Sequence, residues 1–158
     1  MDTDKLESIK DLMSVVGSAD VGLVILDSQY TVRVWNLFLV NHSGKSADSV
    51  MGKSLFDLFP ELSNSWFCDK VNQIIKTKKK ILSTWEERPY LFQFKNTTTK
   101  ARKSKYMYQN LTFVPLASSN GAIENFAIVI NNLTEIAEGQ LNLAEIVDSY
   151  SQGQQHNN

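Results

Sequence analysis

"LDSQYTVRVWN", residues 26–36, decides the fold. Leu26 closes the short apolar run "VGLVILDS" (21–28), Asp27 and Ser28 mark a turn, and "YTVRVWN" (30–36) resumes as a second strand. A buried β-branched run, a turn and a mate of similar length make a hairpin. Simple alternation along the mate puts Val32 and Val34 on one face and Thr31, Arg33 and Trp35 on the other. Asn36 ends the strand, where its side-chain oxygen can cap a helix, and the chain runs directly into the apolar "LFLVNHSG" (37–44).

Upstream, Leu6, Ile9, Met13 and Val16 fall on one helical stripe, Asp4 can cap the start and Gly17 can end it. Residues 1–19 are thus predicted to form an N-terminal amphipathic helix. Downstream, residues 37–60 mix apolar clusters with Gly44 and Gly52, which predicts two or three short helices stopped at Pro60. Residues 63–65 supply caps for a longer helix, "WFCDKVNQIIKTKKK" (66–80), with Phe67, Val71 and Ile74 on one face and lysines suited to the dipole at its end. The period then changes. "ILSTWEERPYLFQF" (81–94), "KYMYQNLTFVPL" (105–116) and "IENFAIVINN" (123–132) are β-type runs separated by "KNTTTKARKS" and "ASSNGA". From Leu133 a helical stripe returns through Ala137, Leu141, Ala144 and Val147, and residues 151–158 read as a disordered tail.

The chain has 158 residues, enough for one domain with flanking helices. A net charge of −1 gives no bulk attraction to nucleic acid or to an anionic membrane. The basic runs "KTKKK" and "KNTTTKARKSK" are balanced by acidic neighbours and carry no interleaved base-stacking aromatics, so a nucleic-acid partner is not expected. The single cysteine, Cys68, excludes an internal disulfide and a multi-thiolate metal site. No secretory signal layout or bilayer-length apolar run is present, so a cytoplasmic location and no membrane association are expected.

Two strands, a helical middle and three strands resemble the layout of a PAS domain over residues 20–135, and specific motifs carry the likeness. "LDSQYTVRVWN" is similar to the opening PAS hairpin, and "SGKSADSVMGKSLFDLFPEL" (43–62) is similar to the helical segment with its Gly-Lys pair and Leu-Phe-x-x-Phe-Pro run. "NNLTEIAE" (131–138) resembles the family's closing Asp-Ile-Thr-Glu, with Asn132 in place of the Asp. "STWEERPYLFQF" with "MYQNLTFVPL" most resembles PAS modules found ahead of bacterial diguanylate cyclase domains. The resemblance implies an α+β fold: a five-stranded antiparallel sheet with a helical segment on one face, flanked by N- and C-terminal helices. The outgoing signalling helix is assigned to residues 136–150.

Chemistry-bearing residues are few. The long helix has no His, so haem, whose ligand in haem-binding PAS modules lies there, is disfavoured. His42 is weighed more as a structural or surface group than as a ligand. Cys68 lies in "SWFCDK", which is unlike the flavin-adduct motif of light-sensing relatives. A flavin, another small molecule or no ligand at all are the options that stay open for the pocket. Trp85 is the foremost ligand candidate because Glu86, Glu87 and Arg88 adjoin it, giving an apolar wall beside polar groups. Tyr108, Asn110 and Thr112 alternate onto one strand face, which is either a solvated surface or a polar pocket lining. Expected ligand contacts are therefore His42, Trp85, Arg88, Tyr108, Asn110 and Thr112. Asn36, Asn132, Thr134 and Glu135 are expected to relay a signal.

No nucleophile, paired-carboxylate or phosphate-loop arrangement stands out, so no enzymatic activity is expected. The expectation is a PAS sensor or adaptor module of bacterial signal transduction, homodimeric through its flanking helices and answering to a kinase, response regulator or cyclase. The alternatives are a ligand-free interaction domain and the sensor part of a larger signalling enzyme.

Overall fold

The computed structural model describes residues 20–97 and 104–155. The N-terminal helix expected over residues 1–19, the middle of the 95–104 loop and the last three residues of the expected tail lie outside the described residues. The elements in order are β1 (Val21–Asp27), β2 (Val32–Trp35), α1 (Leu37–Ser43), α2 (Ala47–Val50) and α3 (Leu55–Leu58). A 3-10 turn (Pro60–Leu62), α4 (Ser65–Thr77), β3 (Ile81–Ser83), β4 (Gln109–Ala117), β5 (Ile123–Asn132) and α5 (Thr134–Gln155) follow. The strands form one five-stranded sheet in the order β2-β1-β5-β4-β3 with antiparallel neighbours throughout.

The opening hairpin forms, with a correction to its faces. Val24 pairs with Trp35 and Ile25 with Val34, but Leu26 pairs with Val32, so the register slips by one residue and Arg33 is extra. A bulge of this kind reverses the alternation beyond it. Val32 and Trp35, expected on opposite faces, are both buried, and Arg33 stands in solvent with its guanidinium 2.8 Å from the Asp27 carboxylate. Asp27 also accepts from the backbone N–H groups of Gln29 and Thr31, which fixes the turn, and Tyr30 there takes φ +63°.

The helical middle follows the glycines. Gly44 ends α1 at φ +75°, a left-handed cap that favours glycine. Gly22, in β1, is required for another reason: a Cβ there would sit 2.7 Å from Cδ1 of Phe38 and 3.1 Å from Cβ of Ile130. The α1 helix thus lies on the sheet at a distance that only a bare backbone permits. Asn64 caps α4 through Phe67 N, and the helix closes at Lys78, so the last lysines of "KTKKK" fall beyond its end.

Two expected elements change length. The run 81–94 gives only three residues of strand, because Glu87 and Arg88 turn back to the Thr84 carbonyl and Pro89 follows. The outgoing helix begins at Thr134 and continues through Gln155, so residues 151–155, expected to be a disordered tail, are helical. Its stripe also differs from the expected one. Ala137 and Glu138 are buried against the domain, whereas Ile136, Leu143, Ile146, Val147 and Tyr150 are exposed, because the helix leaves the sheet after its second turn.

The core lies between the sheet and the helical roof. Val24, Leu26, Trp35, Leu111, Phe113, Ile128 and Ile130 from the strands meet Phe38, Leu39, Leu55, Phe67, Val71 and Ile74 from the helices. Its centre is aromatic: Phe92 stacks on Phe94 at 5.0 Å between ring centres and meets Phe59 edge-on at 5.2 Å and Trp35 at 6.2 Å.

Candidate functional site: the sheet-to-helix junction

Of the four expected relay residues, Asn36 follows β2 and caps α1, while Asn132, Thr134 and Glu135 span the end of β5 and the start of α5. The sheet sets the start of β1 beside the end of β5 by pairing Val21 with Asn131. Asn36 is buried and ties three pieces of chain together. Its Nδ2 donates to the Val21 carbonyl at 2.7 Å, and its Oδ1 accepts from Leu23 N at 3.1 Å and from Leu39 N at 3.4 Å. One amide therefore caps α1 and pins the first residues of β1 to it. Asn132 does similar work for α5, its Oδ1 accepting from Thr134 N at 3.1 Å and from the Thr134 hydroxyl at 2.6 Å. The Thr134 oxygen in turn accepts from Tyr108 N at 3.1 Å, just ahead of β4. A neutral Asn thus makes the turn that the closing motif needs without an ion pair. Glu135 lies exposed in the first turn of α5, where the helix dipole favours a carboxylate. With Asp20, Asn132 and Ile136 it lines a recess of about 250 Å³.

The six expected ligand contacts are not brought together. Tyr108, Asn110 and Thr112 lie on the outer face of the sheet, since Gln109, Leu111 and Phe113 between them are buried on the inner one. Trp85 joins the first two from outside: its ring meets Tyr108 at 5.4 Å and its backbone N–H donates to Asn110 Oδ1 at 2.9 Å. Arg88, in the same turn, goes the other way and lays its guanidinium 4.6 Å from the centre of the Trp66 ring on α4. Lys70 flanks that ring too and pairs with Glu87 at 3.1 Å. Glu87 and Arg88 therefore clamp the turn to α4 instead of converging with Trp85 on a pocket.

His42 sits apart, half-buried on α1, between the Phe38 ring at 4.3 Å and the Phe94 ring at 6.0 Å. It lines an open recess of about 440 Å³ with Asn41, Ser43, Gly44, Gln93, Lys95 and Thr97. Burial lowers its pKa from the ordinary 6.5, while the Asp20 carboxylate works in the opposite direction. The folded chain resists a proton that the unfolded chain accepts, so the stability owed to neutral His42 is full above the unfolded value. It is lost as pH falls through that value towards the lowered folded one. The stability difference between about pH 7.5 and about pH 5.5 is expected to shrink in His42→Gln, as read by urea titration at both pH values. An unchanged difference would place the titration elsewhere.

Cys68 is half-buried on α4 and hydrogen-bonded with the Tyr30 hydroxyl, whose pKa is pushed up by burial and by that neighbour. Among the described residues no group of three His, Cys, Asp or Glu is placed to hold a metal ion, and no helix is long and apolar enough to cross a membrane.

Sequence reasoning missed Gln109, Asn96 and Glu138, all buried and polar. Gln109 carried a readable signal, because it alternates with Met107, Leu111 and Phe113 on what must be the inner face. Its Oε1 accepts from Leu91 N at 3.0 Å and Phe92 N at 3.2 Å, and its Nε2 donates to the Phe92 carbonyl at 2.9 Å. The side chain takes the place of a strand ladder for a segment that has none.

The five-stranded antiparallel sheet, the helical roof on one face and a helix issuing from the last strand define a sensory-module fold. The PAS fold family matches the chain over residues 16–138, and the chain belongs to that family. Among solved structures it is similar to a sensory box sensor histidine kinase from Vibrio cholerae, at 25% identity and a TM-score of 0.60, with 82% of this chain and 94% of that chain covered. The PAS domain of BvgS from Bordetella pertussis shares the fold at 14% identity and a TM-score of 0.57, covering 90% of this chain and 98% of that one. A PAS domain from Colwellia psychrerythraea does so at 13% identity and 0.57, covering 80% and 98%. No curated protein matches the chain.

Proposed function

We propose that this PAS domain is a cytoplasmic sensor or adaptor module of bacterial signal transduction that performs no chemistry itself and delivers its output through α5. The observation that carries this reading is the junction of sheet and helix. Asn132 and Thr134 join β5, the start of β4 and the first turn of α5 in one hydrogen-bonded knot, so a change in sheet packing alters the base of the helix directly. The similar protein from Vibrio cholerae is a sensor histidine kinase, which favours a signalling partner of that kind.

The same helix is the proposed homodimer contact. Ile136, Leu143 and Tyr150 recur at seven-residue spacing with Ile146 between them, the pattern of a two-stranded coiled-coil seam. Size-exclusion chromatography with light scattering is expected to give a dimer. The Leu143→Glu, Ile146→Glu double variant is expected to dissociate at least about a hundredfold more readily while keeping the far-UV spectrum of the sheet. A wild-type monomer at high concentration would overturn the dimer.

A second reading, a ligand-free interaction domain, is favoured by one specific observation. The space beneath the roof is occupied by the rings of Trp35, Phe59, Phe92 and Phe94. Native mass spectrometry beside the denatured mass separates the two: a small molecule lost on denaturation supports a sensor, and a bare mass supports the adaptor.

A further inference from the structure

Residues 91–97 and 104–107 form an irregular hairpin beside the sheet. Lys95 bridges to Tyr106, Asn96 N donates to the Lys105 carbonyl at 3.0 Å, and Met107 N donates to the Phe94 carbonyl at 2.8 Å. Its side chains alternate. Gln93, Lys95 and Thr97 are exposed and line the His42 recess, whereas Phe94 and Asn96 point inward and are buried. The Asn96 amide reaches α5, where its Nδ2 donates to Glu138 Oε1 at 2.8 Å and to the Ser104 carbonyl at 3.0 Å. The same carboxylate oxygen accepts from Ser104 N at 3.3 Å. Glu138 is 7% exposed. A carboxylate is seldom buried to that degree without a structural task, and charge-assisted bonds to it are among the stronger ones.

We propose that Glu138 is a positioning residue that latches the second turn of α5 to this hairpin, so that displacement of the hairpin from the side of the His42 recess releases the helix from the domain. The latch lies 42 residues from Asn96 in sequence and is separate from the Asn132–Thr134 knot. With both in place α5 is held at two points, four residues apart, which fixes its direction as well as its origin. Phe94 and Asn96 belong to the same short extended segment, so pressure on Lys95 or Thr97 moves the Phe94 ring against His42 and the Asn96 amide against Glu138 together. This inference rests on α5 being the output.

Hydrogen exchange on the full chain tests it without a partner, so its failure is distinguishable from failure of the dimer or of the sensor reading. In Glu138→Ala the amides from Gly139 to Tyr150 are expected to exchange roughly tenfold faster or more, since a charged buried hydrogen bond is lost. Those of β4 and β5 should keep their wild-type rates. By reciprocity the 91–97 segment should also loosen. Glu138→Gln keeps a neutral acceptor and is expected to fall between wild type and Ala. Asn96→Ala should loosen the same stretch of α5, by less than Glu138→Ala because Ser104 N still donates to the carboxylate, and the double variant should be no faster than Glu138→Ala. Unchanged exchange in α5 would overturn the latch. So would a rise of equal factor in α5, β4 and β5, which is general destabilisation, or full additivity of the two substitutions, which would make them independent.

Discussion

Phe92→Ala is expected to cost about 3–5 kcal/mol of folding stability, read as a lower urea midpoint at constant slope. Phe92 is fully buried and is surrounded by Phe94, Phe59 and Trp35. Its removal withdraws a whole ring from the place where the sheet, the roof and the 91–97 segment meet. Trp35 is restrained by its Nε1–H, which donates to the Lys45 carbonyl at 3.1 Å, and so cannot swing freely into the gap. The resulting void is walled by rings and stays dry, and dry apolar voids accept small aromatic molecules. Indole is therefore expected to raise the melting temperature of Phe92→Ala and to leave the wild type unmoved. A loss under about 1 kcal/mol would mean that the roof collapses onto the sheet. The space would then be plastic enough to open for a natural ligand in the wild type.

Gln109→Leu should be comparably damaging although it replaces a polar core residue with an apolar one of similar size. The substitution strands two backbone N–H groups, of Leu91 and Phe92, in a buried region and removes one of the two donors to the Phe92 carbonyl, which keeps Phe94 N at 2.9 Å. Each of the two orphaned N–H groups costs about 1–3 kcal/mol, so a total of roughly 2–6 kcal/mol is expected against a typical domain stability of about 5–15. Gln109→Glu gives a sharper contrast. The carboxylate can still accept from Leu91 and Phe92 but is buried facing the Phe92 carbonyl, to which it cannot donate, so its stability is expected to rise as pH is lowered towards the carboxyl range. Urea titration at neutral and acid pH measures both variants. Wild-type stability in Gln109→Leu would show that packing and the Met107–Phe94 backbone bond hold the 91–94 segment without the Gln109 amide.

Much of the fold was legible because it is written in local patterns. The apolar run 21–26, the turn at Asp27 and the cap at Asn36 are adjacent in sequence, and each acts over a few residues. The face of Trp35 was not legible, because the bulge at Arg33 is settled by pairing with Leu26 and by the Asp27 ion pair, neither of which alternation contains. The short β3 was hidden for a related reason: residues 91–94 have strand-like composition, yet a side chain, Gln109, takes up the backbone groups of Leu91 and Phe92. The capping role of Asn36 and the closing turn at Asn132 and Thr134 were legible, since caps and turns are local. The ligand candidates scattered because the 84–88 turn sends Trp85 and Arg88 to opposite sides of the sheet. Glu138 reads in sequence as an ordinary acidic helix residue, and only the fold brings Asn96 to it.

The pairing of Val21 with Asn131 has a mechanical meaning. β1 begins where β5 ends, so any tension between the segment leading into the sheet and the outgoing helix is applied at one end of the β1–β5 ladder. Loaded that way, antiparallel strands part like a zipper, one pair of bonds after another, instead of resisting in shear along their whole length. The first tooth is backed by Asn36, which grips Val21 and Leu23. A pull applied at that end meets the Val21–Asn131 pair first, and the Asn36 amide is the side chain that resists it.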